Sequence, residues 1–116
     1  GSSYLLARAI GRVRAMEMMM LGEKLPAAKA LEWGLITRVV ADDKLEDVAI
    51  DVARQLAQGA HSLRLIRKEA WAALDATLEE QLHNERMLQR EAGRSKDFIE
   101  GVRAFREKRA PNFRGE

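Results

Sequence analysis

Ala30-Leu31-Glu32-Trp33-Gly34-Leu35-Ile36-Thr37-Arg38-Val39-Val40 decides the fold class. A helical pattern stops at Gly34 and turns into a β-branched run. Gly34 stands where a helix C-terminus needs a residue tolerant of the left-handed conformation. Beyond it, Ile36, Thr37, Val39 and Val40 favour extended backbone, so the pattern predicts one short strand over 35–40. It is the one convincing strand signal in a chain that otherwise reads as helix. A lone strand leaves its own N–H and C=O groups unpaired, and no second run can supply the partner. The reading is a mostly α chain of about seven helices that belongs to a larger fold or to an assembly.

Upstream, Tyr4–Ile10 and Arg12–Leu21 read as helices punctuated by Gly11 and Gly22. Met16, Met18, Met19 and Met20 occupy more than one face of the second, which predicts burial on several sides. Pro26 suits the first position of a short third helix ending near Trp33. Downstream, Asp43 with Glu46 reads as a capping box. Leu45, Val48, Ala49, Val52, Ala53 and Leu56 then follow the helical repeat as far as Gly59. Ser62 can cap the next helix, with Leu63, Ile66, Ala70 and Leu74 on one face. Thr77 with Glu80 forms a second capping box and opens a helix running to about Ala92. Ser95 can cap the last helix, where Phe98, Val102 and Phe105 recur at i, i+4 and i+7, and Pro111 follows as a stop.

Composition narrows the functional classes. The chain has 116 residues, 47% hydrophobic and 33% charged, with no cysteine. That is one domain or less. No apolar run reaches the ~20 residues needed to span a bilayer, and no signal peptide is recognisable. Without cysteine there is neither a disulfide scaffold nor a thiolate metal site, and a cytoplasmic location is the default expectation. Net charge is +2, too small for an electrostatic nucleic-acid binder. From Arg94 onward seven basic and four acidic residues give +3. A basic tail suits a phosphate-bearing ligand, but such clusters are more often solvated faces. His61 and His83 share no metal-ligand spacing and read as surface or cap residues. There is no nucleophile elbow and no phosphate-binding loop. The residues alone describe a helical segment without an active site of its own.

Four stretches, taken in order and spacing, carry a resemblance. They are Tyr4-Leu5-Leu6-x-Arg8-Ala9-Ile10-Gly11-Arg12-x-Arg14-Ala15-Met16-Glu17, Leu21-Gly22-Glu23, the Ala30–Val40 run, and Phe98-x-Glu100-Gly101-Val102-x-Ala104-Phe105-x-Glu107-Lys108-Arg109-x-Pro111-x-Phe113. Over essentially its whole length the chain resembles the C-terminal part of the enoyl-CoA hydratase/isomerase (crotonase) family. One departure is Ala7, which stands where the family usually has proline and restores a backbone N–H.

The resemblance implies an α/β spiral core of ββα turns followed by a helical region that builds trimers. Residues 1–41 would be the end of that core and 42–116 the helical oligomerisation region. It implies a parent that stabilises a thioester enolate in an oxyanion hole, with the donors and the acid/base carboxylates upstream of Gly1. No catalytic residue and no metal site are therefore expected within the chain. Acyl-CoA would be a substrate rather than a resident cofactor. Expected partners are acyl-CoA and further copies of the chain, as a trimer or hexamer, with no nucleic acid and no membrane.

Two positions carry over from the family: Phe105 and Lys108 match residues that often face the adenine and 3′-phosphate end of CoA bound in a neighbouring subunit. Their i, i+3 spacing suits an aromatic face and an ammonium on one side of a helix. The competing reading makes Phe105 core and Lys108 solvated. An alternative for the whole chain is a stand-alone helical association module without a catalytic role.

Overall fold

A computed structural model describes residues 1–116 as seven α-helices with no strand. They are α1 (Ser2–Ile10), α2 (Arg12–Leu21), α3 (Ala27–Glu32), α4 (Leu45–Ala57), α5 (Ser62–Ala72), α6 (Leu78–Ala92) and α7 (Lys96–Glu107). All seven expected helices are present, and the chain divides into two compact units, Gly1–Glu46 and Asp47–Glu116.

In the first unit α1 packs on α2, and the buried apolar residues are Ile10, Ala15 and Ala30. Helix α1 runs unbroken through Ala7, where a proline would remove an N–H from the helix. The methionines of α2 are not buried as expected. Met16 and Met19 are exposed and Met20 is 75% exposed, leaving Ala15 as the one buried residue of that helix. A helix that is apolar on several sides needs cover on several sides, and α1 covers only one.

The predicted strand at 35–40 is absent. Helix α3 ends in a Schellman motif. The Gly34 N–H donates to the Leu31 carbonyl at 3.0 Å, and the Leu35 N–H donates to the Ala30 carbonyl at 2.9 Å. Gly34 takes the left-handed conformation, φ 75°, as its sequence position required. From Ile36 to Val40 the chain then runs without regular structure, with Ile36 and Val39 exposed. The β-branched residues are in place, but a strand is defined by the ladder it joins, and no neighbouring segment offers one.

In the second unit α5 packs against α6, and Leu65, Leu88 and Ala104 form the buried apolar core. The caps sort cleanly. Thr77 and Glu80 make the full reciprocal capping box, and the Ser95 side chain accepts from the Phe98 N–H at 3.0 Å. The expected caps at Asp43 and Ser62 do not form. Asp42–Lys44 is a 3-10 turn leading into α4. Ser62 is already the first residue of α5, with His61 at the cap position. Pro26 sits one residue earlier than expected, as the cap of α3.

Candidate functional site

Helix α7 presents two chemically different sides. Ala104 and the Asp97 carboxylate are buried. Phe98, Val102 and Phe105 are exposed, Phe105 by 86%. The apolar stripe expected from the sequence exists, but it is not core, so the reading of Phe105 as a buried residue fails within this chain. With Ala60, Ala92 and Phe113 the stripe lines an open groove of about 470 Å³.

The helix ends at Glu107, so Lys108 is not a helical residue. It adopts the left-handed conformation, φ 54° and ψ 39°. Its N–H donates to the Phe105 carbonyl at 3.3 Å, and the Arg109 N–H donates to the Ala104 carbonyl at 3.1 Å. This is the same Schellman geometry that closes α3, built on a lysine instead of a glycine. The two residues that the sequence singled out are thus joined through the main chain within one turn. They are placed by a helix terminus rather than by a continuous helical face.

Beyond Lys108 the chain folds back as a strap over residues 109–116, held by two carboxylates of α7. Glu100 takes the Arg109 guanidinium in a two-point contact, at 2.6 and 3.1 Å, and accepts the Asn112 N–H at 2.9 Å. Asp97, 3% exposed, accepts main-chain N–H groups from Arg114 at 2.8 Å, Gly115 at 2.9 Å and His61 at 2.8 Å. The Asp97 N–H in turn donates to a main-chain oxygen of Glu116 at 3.0 Å. Phe113 of the strap lies against Gly101, one ring carbon 3.6 Å from where a Cβ would stand. Arg109 also reaches Glu107 through Nε at 2.6 Å.

These contacts set the local electrostatics. The Arg109 guanidinium, followed by the Asn112 N–H, holds the Glu100 carboxyl down at about 2. The Arg114 N–H, with the His61 and Gly115 N–H groups behind it, keeps Asp97 below the usual carboxylate range against the opposing effect of burial. Arg109 is pushed up by Glu100 first and Glu107 second. Lys108 joins none of these pairs: Arg103 is taken by Glu107, Arg109 by Glu100 and Glu107, and Lys96 by Glu116.

The two histidines are occupied with structural contacts. The His61 ring lies 3.1 Å from the Gly115 carbonyl through Nδ1, and its Nε2 faces the Arg64 guanidinium at 3.1 Å. His83 Nδ1 lies 3.2 Å from the Arg86 guanidinium on α6. No group of His, Asp and Glu is arranged to hold a metal ion, and no helix is long and apolar enough to cross a membrane.

Sequence reasoning passed over Asp97, Glu100 and Arg109, which it counted as members of a charged tail. One signal was available. A Glu and an Arg on either side of a helix end that is followed by proline can meet only if the chain turns back.

A profile of the family described as Enoyl-CoA hydratase/isomerase matches residues 1–116. The 1,2-epoxyphenylacetyl-CoA isomerase of Escherichia coli K12 is 48% identical over 117 residues, which cover 100% of this chain and 45% of the relative. The trans-2-decenoyl-[acyl-carrier-protein] isomerase of Streptococcus mutans is 40% identical, with coverage of 100% and 44%. The crystal structure of an enoyl-CoA hydratase from Bacillus anthracis superposes with a TM-score of 0.92 at 33% identity, covering 100% of this chain and 45% of that one. The chain spans less than half the length of the curated relatives it matches. With every residue inside the family profile and the fold shared at this identity, the chain belongs to the enoyl-CoA hydratase/isomerase family.

Proposed function

We propose that the protein carrying this chain is a hydratase or isomerase of acyl-CoA thioesters, and that residues 1–116 are its C-terminal portion. The observation that carries the reading is the family match over every residue, joined to the chain's covering only 45% of the relatives it matches. The chemistry belongs to the preceding core, where two backbone N–H groups would hold the thioester oxygen as the enolate forms. Residues 1–41 complete that core, and residues 42–116 supply subunit contacts, as a trimer or hexamer, together with part of the CoA site. The exposed apolar side chains of α2 and α7 support this role, because faces this open are covered in an assembled protein.

At the CoA site, Phe105 offers an exposed ring for the adenine and Lys108 an uncommitted ammonium for the 3′-phosphate. CoA enters as the carrier of the substrate and not as a resident cofactor. Crotonyl-CoA hydration, or shift of its double bond, tests the reading. The intact protein turns the thioester over, and the purified 116-residue chain does not. Turnover by the short chain, or none by the intact protein with any enoyl-CoA, overturns it.

A second reading follows from the same exposed faces: residues 1–116 act as a stand-alone helical association module. Light scattering on the isolated chain separates the two. Association without any effect of CoA favours the module, and a well-folded monomer excludes it.

A further inference from the structure

Five residues in the chain have positive φ, and four of them are glycines; Lys108 is the exception. A turn alone would be made more easily by glycine or asparagine. At Lys108 that backbone instead carries a long cationic side chain. Such a conformation persists only when its surroundings over-determine it.

The surroundings are on both sides of Lys108. Glu107 and Arg109, its chain neighbours, are joined by an ion pair at 2.6 Å. Arg109 is anchored two turns back on Glu100 by two hydrogen bonds, and Glu100 also takes the Asn112 N–H. The fork geometry matters here, because a two-point guanidinium–carboxylate contact fixes direction as well as distance. The same contacts commit Arg109 to protein carboxylates, so it does not compete with Lys108 for a bound anion.

We infer that Glu100 and Arg109 are positioning residues for the nucleotide end of the thioester carrier, holding Lys108 in the left-handed conformation that presents its ammonium to a phosphate monoester. This rests on the reading of Phe105 and Lys108 as a nucleotide-recognition face. Neither positioning residue touches the ligand; both act through Lys108.

The test is calorimetric binding of CoA and of 3′-dephospho-CoA to the intact protein. Wild type prefers CoA by about tenfold, the worth of one charge-assisted contact. Lys108→Ala abolishes that preference. Glu100→Gln and Arg109→Gln also bring the ratio towards one while leaving the affinity for 3′-dephospho-CoA unchanged. In the Lys108→Ala background, Glu100→Gln has no further effect on the ratio.

A merely structural role predicts something different: both ligands weaken equally, and the loss persists without Lys108. That result overturns the inference, as does a Glu100→Gln variant with the wild-type ratio. If Glu100→Gln does not fold, Glu100→Asp keeps the charge, draws the fork back by one carbon and gives the same readout. A Lys108→Ala variant that retains the wild-type ratio overturns the nucleotide-recognition face itself. Glu100→Gln without effect beside an impaired Lys108→Ala overturns only the positioning.

Discussion

Two helix ends in this chain are closed by the same hydrogen bonds and lead to opposite outcomes. Helix α3 closes on Gly34, and the segment after it, Leu35 to Val40, makes no ladder. Helix α7 closes on Lys108, and the segment after it is tied along its length to α7. Both segments are short and irregular, and neither joins a sheet. What separates them is a pair of carboxylates one turn apart, Asp97 and Glu100, that replace a missing strand as hydrogen-bond acceptors. An irregular segment is ordered by wherever its N–H groups can go. The strap has acceptors inside the chain, and Ile36 to Val40 does not.

The largest expected effect comes from taking an acceptor away. Asp97→Ala leaves the Arg114 and Gly115 N–H groups without a partner, and hydrogen exchange at those amides accelerates by about tenfold or more. Exchange at Ile36 to Val40 stays as it was. If the strap amides keep their protection, the contrast between the segments has another cause.

Gly34→Ala addresses the other helix end. A Cβ at this position meets nothing within 4 Å, so the penalty is purely one of backbone conformation, about 1–2 kcal/mol. It reads out as a lowered denaturant midpoint with unchanged slope. A neutral substitution would show that α3 can end without the left-handed residue.

Acid acts on the two segments differently. Glu100 is depressed from 4.5 to about 2 in the folded chain, so its contribution is complete above pH 4.5 and is lost as pH falls towards 2. Asp97 is shifted in the same direction. Amide signals of Asn112, Arg114 and Gly115 should therefore hold steady from neutral pH to about 4.5 and move below it. Those of Ile36 to Val40, which face no carboxylate acceptor, should not follow that transition. A strap that loosens well above pH 4.5 would contradict the assigned pairs.

The smallest effect is the mirror image of Gly34→Ala. Lys108→Gly relieves a left-handed lysine but adds freedom to the unfolded chain. The net is a gain of about 0.5 kcal/mol. Thermal unfolding would register a slightly raised midpoint, and a fall would mean that the lysine side chain stabilises the turn.

Much of the fold was legible in residue order. The helices announce themselves through periodicity and through Gly11, Gly22, Gly34, Thr77 and Ser95, because helical hydrogen bonds and caps span only three to five residues. The left-handed role of Gly34 and the Thr77–Glu80 capping box follow from the same locality. The strand at 35–40 was misread for the complementary reason. Its residues carry the β-branched signature, but pairing depends on a partner that local sequence does not contain. The α2 methionines fail alike, since burial needs a covering surface as well as an apolar side chain.

For the candidate site, residue order alone says which side chains stand at the end of α7, an aromatic ring followed three residues later by an ammonium. How they are held depends on contacts that are distant along the chain. Lys108 leaves the helix, the chain reverses, and Arg109, Asn112, Arg114 and Gly115 return to Glu100 and Asp97. Those partners lie between nine and eighteen residues apart. No local rule reaches that far: a carboxylate in a charged tail looks solvated until the fold shows which N–H groups come back to it.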